Sequence, residues 1–441
     1  MTAVPVSTPV EEFPRPAAAR RSVVLLGGQD VRAFEAVRNL GCRVVYVDES
    51  ISWDLLPLVD VPLEASLDNW EQVATGLEAL ARRDRVDAVV THSESSVPLM
   101  AYLNRRLKLP VSSLSLAAAW NCRDKLRTRQ GLQKAGLPTV RFQLVNDRTE
   151  AVAAARAIGY PVVVKPRDGT GGFGVRLCFR DAEVADAVEV VIQRSADSNH
   201  YLPGALVEEY LEGRELAVQT LTWAGKTELV SVLETQVSAG PVFVELGYDF
   251  PTRLPCGRIA ELSQVVTATI QALGVDNWLT HTQIRLTRDG FKVIEVNARR
   301  PGGRLVAMTE AVAGVDLLSA AVMMALGEPP PRPRLRAAHS LYRSIVFEQG
   351  GHVDYDPDPS WQGLESDIAP IVEMDVQPGD PVLPYDRPEG GVYGRILLCG
   401  SSREALERDY DRIRAQLGLR LLPSLVAAPS GVDARQGWAV T

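Results

Sequence analysis

The chain has 441 residues, of which 46% are hydrophobic and 23% charged, and it carries a net charge of −8 at neutral pH. That length supports two or three domains with sizeable cores, and the acidic balance excludes a general attraction to nucleic acid or to an anionic membrane surface. Any anionic ligand has to be held by a local group of cations.

The five cysteines are scattered without C-x-x-C spacing, which indicates neither a zinc site nor a disulfide framework and fits a reducing cytoplasm. Residues 1–21 read as a disordered leader without the apolar run of a signal peptide, and no run is long enough to cross a membrane. Ser22–Leu26 then reads as a buried strand, Gly27-Gly28 as its turn, Val31–Leu40 as a helix and Arg43–Val47 as a second strand, a β-α-β opening. Asp48 invites a nicotinamide reading, but the glycine spacing after Leu26 is incomplete for that fingerprint. A helix over residues 67–83 leads to a strand over 87–91, with Glu94 at its carboxyl end. Ligands collect at that end of an open sheet, so Glu94 is a candidate substrate contact, with a helix-start carboxylate as the plainer reading.

The spacing predicts one helix over 116–135, bearing Asp124-Lys125 and stopped by Gly136-Leu-Pro138. From Thr139 strands and helices alternate in an α+β texture that ends with a single predicted helix over 308–326 and a proline-rich link at 329–333. The expected organisation is a Rossmann-like N-terminal domain over 22–115, a central domain over 116–330 with a lid subdomain over 139–212, a C-terminal α+β subdomain over 331–422 and a flexible tail over 423–441.

Two segments carry the chemistry. The first, Val162-Val-Val-Lys165-Pro-Arg-Asp-Gly169-Thr170-Gly171-Gly172-Phe-Gly174, sets a lysine and a glycine-rich loop between two β-rich runs. Its glycines satisfy G-x-G-x-x-G, yet the run from Val175 to Phe179 is β-rich rather than helical, so the loop reads as a hairpin flap whose N–H groups can close over phosphate. The second is His281-Thr-Gln283, a hairpin turn at Arg288-Asp-Gly290, and Glu295-Val-Asn297-Ala-Arg299-Arg300-Pro-Gly-Gly-Arg304. Glu295 and Asn297 lie two apart on one strand and share a face that Gln283 can also meet, three oxygen donors suited to Mg²⁺. Arg299 is placed for the same phosphate or a developing oxyanion, and His281 reads as a satisfied core histidine rather than a base.

Together these segments resemble the ATP-grasp superfamily over residues 22–420, in the order of its motifs. The resemblance implies a mixed α/β and α+β ATP-grasp fold and ATP with one or two Mg²⁺ or Mn²⁺ ions. It implies Lys125 at the α-phosphate, Lys165 at the α- and β-phosphates, and the flap residues Gly169, Thr170, Gly171, Gly172 and Gly174 over them. It further implies a hinge at Glu208, Glu209 and Leu211 for adenine, Glu215 at the ribose, Gln283, Glu295 and Asn297 at the metal, and Lys165 and Arg299 in catalysis. Gln283 departs from the glutamate of many relatives and leaves the number of ions open. The glycine-rich turn after Arg299 is similar to that of L-amino acid ligases, which implies activation of an amino-acid or peptide carboxylate as an acylphosphate and its capture by an amine. Arg304, Arg300 and Glu94 would then meet substrate. The alternatives are a carboxyphosphate- or formylphosphate-type ligase and a non-catalytic ATP-binding sensor. Expected partners are small molecules, with no nucleic acid and no membrane, and a homodimer is the assembly the resemblance suggests.

Overall fold

The computed structural model describes residues 20–109, 114–169, 171–197, 201–302, 305–387 and 390–422. The expected leader up to residue 19, the tail from 423, Thr170 and Arg304 lie outside the described residues.

The N-terminal unit is a four-stranded parallel sheet in the order Val61–Glu64, Arg43–Asp48, Ser22–Leu26, Ala88–Val90. Ser22–Leu26 is buried along its whole length, as a central parallel strand covered on both faces must be, which is why it reads as an unbroken apolar run. Helices Val31–Asn39, Trp70–Ala81 and Val97–Arg106 belong to this unit, the first two capped by Asp30 and Asn69 side chains.

A second, antiparallel sheet carries the flap, in the order Phe142–Val145, Ala205–Glu209, Val162–Pro166, Arg176–Cys178. Helices Arg148–Ile158 and Asp181–Asp197 pack on it and close a small core of its own around Val162, Val164, Val188 and Val207. The largest sheet has eight strands, ordered Gly290–Asn297, Trp278–Thr287, Arg214–Trp223, Lys226–Val237, Glu245–Phe250, His339–Ile345, Gly394–Gly400, Ile371–Met374, and every pairing in it is antiparallel. Three short strands, Pro381–Val382, Gly351–Asp354 and Arg420–Leu422, form a fourth sheet.

Three sequence expectations change. The helix over 116–135 is two, Leu116–Arg123 and Lys125–Lys134, because Asp124 leaves helical geometry (φ −85°, ψ 107°) to cap the second by accepting from the Leu126 N–H. The helix over 308–326 is likewise two, Leu305–Ala313 and Leu317–Ala325, bent by 87° where Gly314 adopts φ +65° and Asp316 caps the second. At the second break apolar residues continue on both sides, so periodicity alone hides it. The C-terminal strands His339–Ile345, Gly394–Gly400 and Ile371–Met374 extend the central sheet instead of forming a sheet apart. The joining strand, Glu245–Phe250, is paired with residues about ninety positions away and went unread in the sequence. Among the described residues no single helix is long and apolar enough to cross a membrane, and the bent pair lies in the core.

Candidate functional site

The flap begins where Val162–Pro166 and Arg176–Cys178 stop pairing, after Val164↔Arg176. Gly169, Gly171, Gly172 and Gly174 all have positive φ, between 69° and 119°. At Gly174 a side chain is excluded twice over, since φ is +71° and a Cβ would stand 3.3 Å from Val191 Cγ2. The hairpin reading of this loop therefore holds in the structure.

Lys165 leaves the last strand residues before the flap, 4% exposed, with its Nζ 2.6 Å from Glu208 Oε2. Glu208 in turn accepts from Arg129, Nε at 2.9 Å and Nη2 at 3.1 Å, and Arg129 is fully buried and also donates to the Ile294 carbonyl at 2.6 Å. Burial pushes the Lys165 ammonium down to about 8 against the pull of Glu208. Burial alone would raise Glu208, but Arg129 and Lys165 outweigh it and hold the carboxylate down at about 2. The Glu208 side chain, expected in the hinge, is thus turned inward beneath Lys165.

Lys125 opens its helix beside this network, and its Nζ lies 3.2 Å from Glu295 Oε2. The sequence placed Glu295 and Gln283 on one face, and the register sets them directly opposite each other, with His281 opposite Asn297. Asn297 donates from Nδ2 to Glu295 Oε1 at 2.9 Å, and Gln283 donates from Nε2 to Glu245 Oε1 at 3.1 Å. Against the raising effect of burial, Lys125 and Asn297 bring Glu295 down to about 2. His281 Nδ1 meets Gln219 Oε1 at 2.9 Å, and burial, helped by Arg299, pushes the ring down to about 4, so it is neutral at pH 7. That agrees with the reading of a satisfied histidine.

In the hinge, Glu209 accepts from Arg141 Nε at 2.8 Å and Lys292 Nζ at 2.8 Å, while Glu215 accepts from Arg285 Nε at 2.9 Å. Arg285 also donates to the Leu211 carbonyl at 2.5 Å, and its guanidinium lies over the stacked rings of Tyr210 and Phe243. At the seam with the N-terminal sheet, Arg299 Nε is 2.7 Å from Glu94 Oε2, and Arg300 Nη2 is 2.7 Å from Asp30 Oδ2. Glu94, 8% exposed, opens the short 3₁₀ turn Glu94–Ser96 that leads into the Val97–Arg106 helix, as the plainer helix-start reading has it, and it also has a cationic partner in Arg299.

Two family models match the chain: an ATP-grasp N-terminal domain over residues 34–111 and an ATP-grasp domain over residues 158–308. The chain belongs to the ATP-grasp superfamily. It is 30% identical to carnosine synthase 1 of Gallus gallus over 75% of this chain and 38% of that one. It is also 30% identical to the D-alanine–D-alanine ligase of Ectopseudomonas mendocina (strain ymp) over 47% of this chain and 66% of that one. It spans less than two thirds of the length of either relative. Among solved structures, an L-amino acid ligase from Bacillus licheniformis superposes with a TM-score of 0.74 at 24% identity, over 92% of this chain and 100% of that one. The ATP-grasp fold anticipated from the motifs is the fold observed.

Within this ATP-grasp chain the oxygen donors Gln283, Glu295 and Asn297 fit a hard cation by chemistry: one carboxylate and two amide carbonyls, the Gln283 N–H group being taken by Glu245 and that of Asn297 by Glu295 itself. Among the described residues no group of three or more His, Cys, Asp or Glu side chains forms a metal centre, so such an ion would depend on amide oxygens and on ligands brought with it. Four residues around the site escaped the sequence reading. Arg129 stands four after Lys125, on the same helix face, and that spacing was the available signal. Arg285 stands two after Gln283 on the same strand face. Glu245 and Asp168 have no local signal, since their neighbours come from distant segments.

Proposed function

We propose that this protein is an ATP- and Mg²⁺-dependent carboxylate–amine ligase, which activates an amino-acid or peptide carboxylate as an acylphosphate and joins it to an amine with release of ADP and phosphate. One observation carries the reading. Among the described residues, Lys125, Lys165 and Arg129 make their ion pairs with two carboxylates, Glu295 and Glu208, in the buried network under the flap, so three positive charges face two negative ones. A surplus cation in a low-dielectric site favours a polyanion such as the phosphates of ATP, and phosphoryl transfer needs positioning and charge neutralisation above all.

In this proposal Lys125 and Lys165 hold the phosphates, and N–H groups of the Gly169–Gly174 flap close over them. Leu211 and Glu209 hold the base through backbone groups, and Glu215 takes the ribose, sharing its carboxylate with Arg285. Gln283, Glu295 and Asn297 hold Mg²⁺, which when bound neutralises phosphate charge. Arg299 stands ready for the oxyanion of the attacked acylphosphate, and Arg300 and Glu94 flank the substrate. A closed flap keeps water from the acylphosphate, which would otherwise hydrolyse. The names of the relatives, a carnosine synthase, a D-alanine–D-alanine ligase and an L-amino acid ligase, support amino-acid substrates over bicarbonate or formate. A reaction that consumes ATP belongs in the cytoplasm.

The test is ADP release across pairs of amino acids and small peptides, with the product identified by mass. Substrate-dependent ADP with a condensed product is expected, and Lys165→Ala should abolish it in folded protein. ADP release that depends on bicarbonate or formate, or ATP binding with no turnover for any pair, refutes the proposal.

A further inference from the structure

Two short segments, Arg123-Asp124 at the break between the helices and Arg167-Asp168 at the base of the flap, have the same order of charges and meet crosswise. Arg167 Nη2 lies 2.6 Å from Asp124 Oδ2, and Arg123 Nη2 lies 3.1 Å from Asp168 Oδ2. A main-chain bond runs between the two pairs, from the Lys125 N–H to the Arg167 carbonyl at 2.8 Å. Both carboxylates are only 1% exposed. Asp124 also accepts from the Leu126 N–H of its own helix, and Asp168 from the Leu202 N–H at 2.9 Å in the segment before Ala205–Glu209, so each acid orders backbone while gripping the arginine of the other segment. Arg167 additionally donates to the Pro203 carbonyl at 3.0 Å, and Arg123 to the Ser95 carbonyl.

We infer that this crossed pair is a positioning element that locks Lys125 to the base of the flap, so that Lys125 and Lys165 keep one geometry over the phosphates while the flap beyond Asp168 moves. The inference rests on the ligase reading for what is being positioned, but the geometry has its own logic. Lys125 lies next to Asp124, and Lys165 two before Arg167, so the interlock fixes the separation of the two lysines. The flap glycines start one residue after Asp168, which leaves the loop free to move only beyond the lock. Buried carboxylates without a partner are costly, so the two acids hold the segments together across the whole cycle of flap movement. The lock acts through the lysines and touches no phosphate itself; its residues are positioning residues, and losing it should harm the transition state more than the binding of ATP.

The variants are Asp124→Asn, which keeps the helix cap, Arg167→Gln, and the two combined. In folded protein each single change is expected to lower kcat about 10- to 100-fold while the KM for ATP moves far less, because a small misplacement of catalytic groups has that effect. The double variant should be no worse than the poorer single one, and Arg167→Lys should recover part of kcat. Hydrogen exchange of residues 167–176 and 123–128, with and without MgATP, reads the lock independently of turnover. The wild type should gain protection in both segments together, and the variants should lose that linkage while still binding ATP. Singles within about twofold of wild-type kcat and differing only in melting temperature, or linked protection that survives in the variants, would overturn the inference. If the wild type binds ATP and turns over no substrate pair, the ligase reading fails, and the exchange measurement alone decides for or against the lock.

Discussion

Beneath the flap, Glu208 is shared by Arg129 and Lys165, and the Lys125–Glu295 pair stands close enough to Lys165 for its charges to be felt there, so the five groups form one buried network. At the seam with the N-terminal sheet, Arg299 meets Glu94 while Arg300 and Arg32 share Asp30, two groups that have no carboxylate in common. The network is built mostly within the flap and central sheets, where strand registry fixes each partner. The seam joins elements more than two hundred residues apart that no sheet connects. Shared burial makes the first site rigid and electrostatically strong, as holding phosphates for transfer demands. The seam's ion pairs are nearly as buried as the Lys125–Glu295 pair but share no carboxylate, so one can be varied without the other, which suits recognition of a substrate that differs between relatives.

The sharpest way to break that comparison is Arg129→Met. It leaves Glu208 buried with Lys165 as its only cation, and breaking one side of a buried ion pair costs about 3–5 kcal/mol. Chemical unfolding should show a loss of that order. The surviving folded fraction should bind ATP more weakly, because Lys165, freed of the constraint Arg129 places on Glu208, is no longer held at one point. A variant as stable as wild type would show that the network is an assembly of independent pairs like the seam.

How legible each region was follows from the same difference. The flap lysine, its glycines and the Glu295-x-Asn297 strand could be read because short sequence spacing fixes which residues share a loop or a face. The single helices expected over 116–135 and 308–326 failed because the breaking residues, Asp124 and Asp316, act through side-chain caps that hydrophobic periodicity does not register. Glu245 was invisible because its strand takes its place only from pairing with Lys226–Val237 and His339–Ile345, and Glu94 and Arg299 were each legible as candidates while their pairing was not. Glu208 was placed in the hinge by order along the chain. Only packing shows that its carboxylate faces Lys165.

A pH profile sharpens the electrostatic half of the comparison with a smaller effect. Burial lowers Lys165 to about 8, so in the free protein its ammonium is present below that pH and lost above it. Phosphate binding uses the charged form, and kcat/KM for ATP should therefore be level below pH 8 and fall about tenfold per unit above it. Glu208 and Glu295, both held near 2, stay ionised throughout and should add no acid limb above pH 4. A profile flat to pH 10 would mean that Lys165 stays charged and that Glu208 outweighs burial there.

The smallest expected effect belongs to the seam, and it tests whether the seam is separate in function as well as in structure. Asp30→Asn keeps the cap on the Val31–Asn39 helix, since asparagine accepts from the Arg32 N–H as aspartate does, but removes the charge that faces Arg300 and Arg32. An ion pair of this partly exposed kind is worth about 1 kcal/mol or less, a factor of roughly five in a binding constant. The KM for the carboxylate substrate should shift by no more than that, in the direction set by how Arg300 redirects its freed guanidinium, while the KM for ATP stays unchanged. An equal shift in both constants would couple seam and network through Arg299, which adjoins Arg300 and lies two residues beyond Asn297, and the two regions would then act as one site.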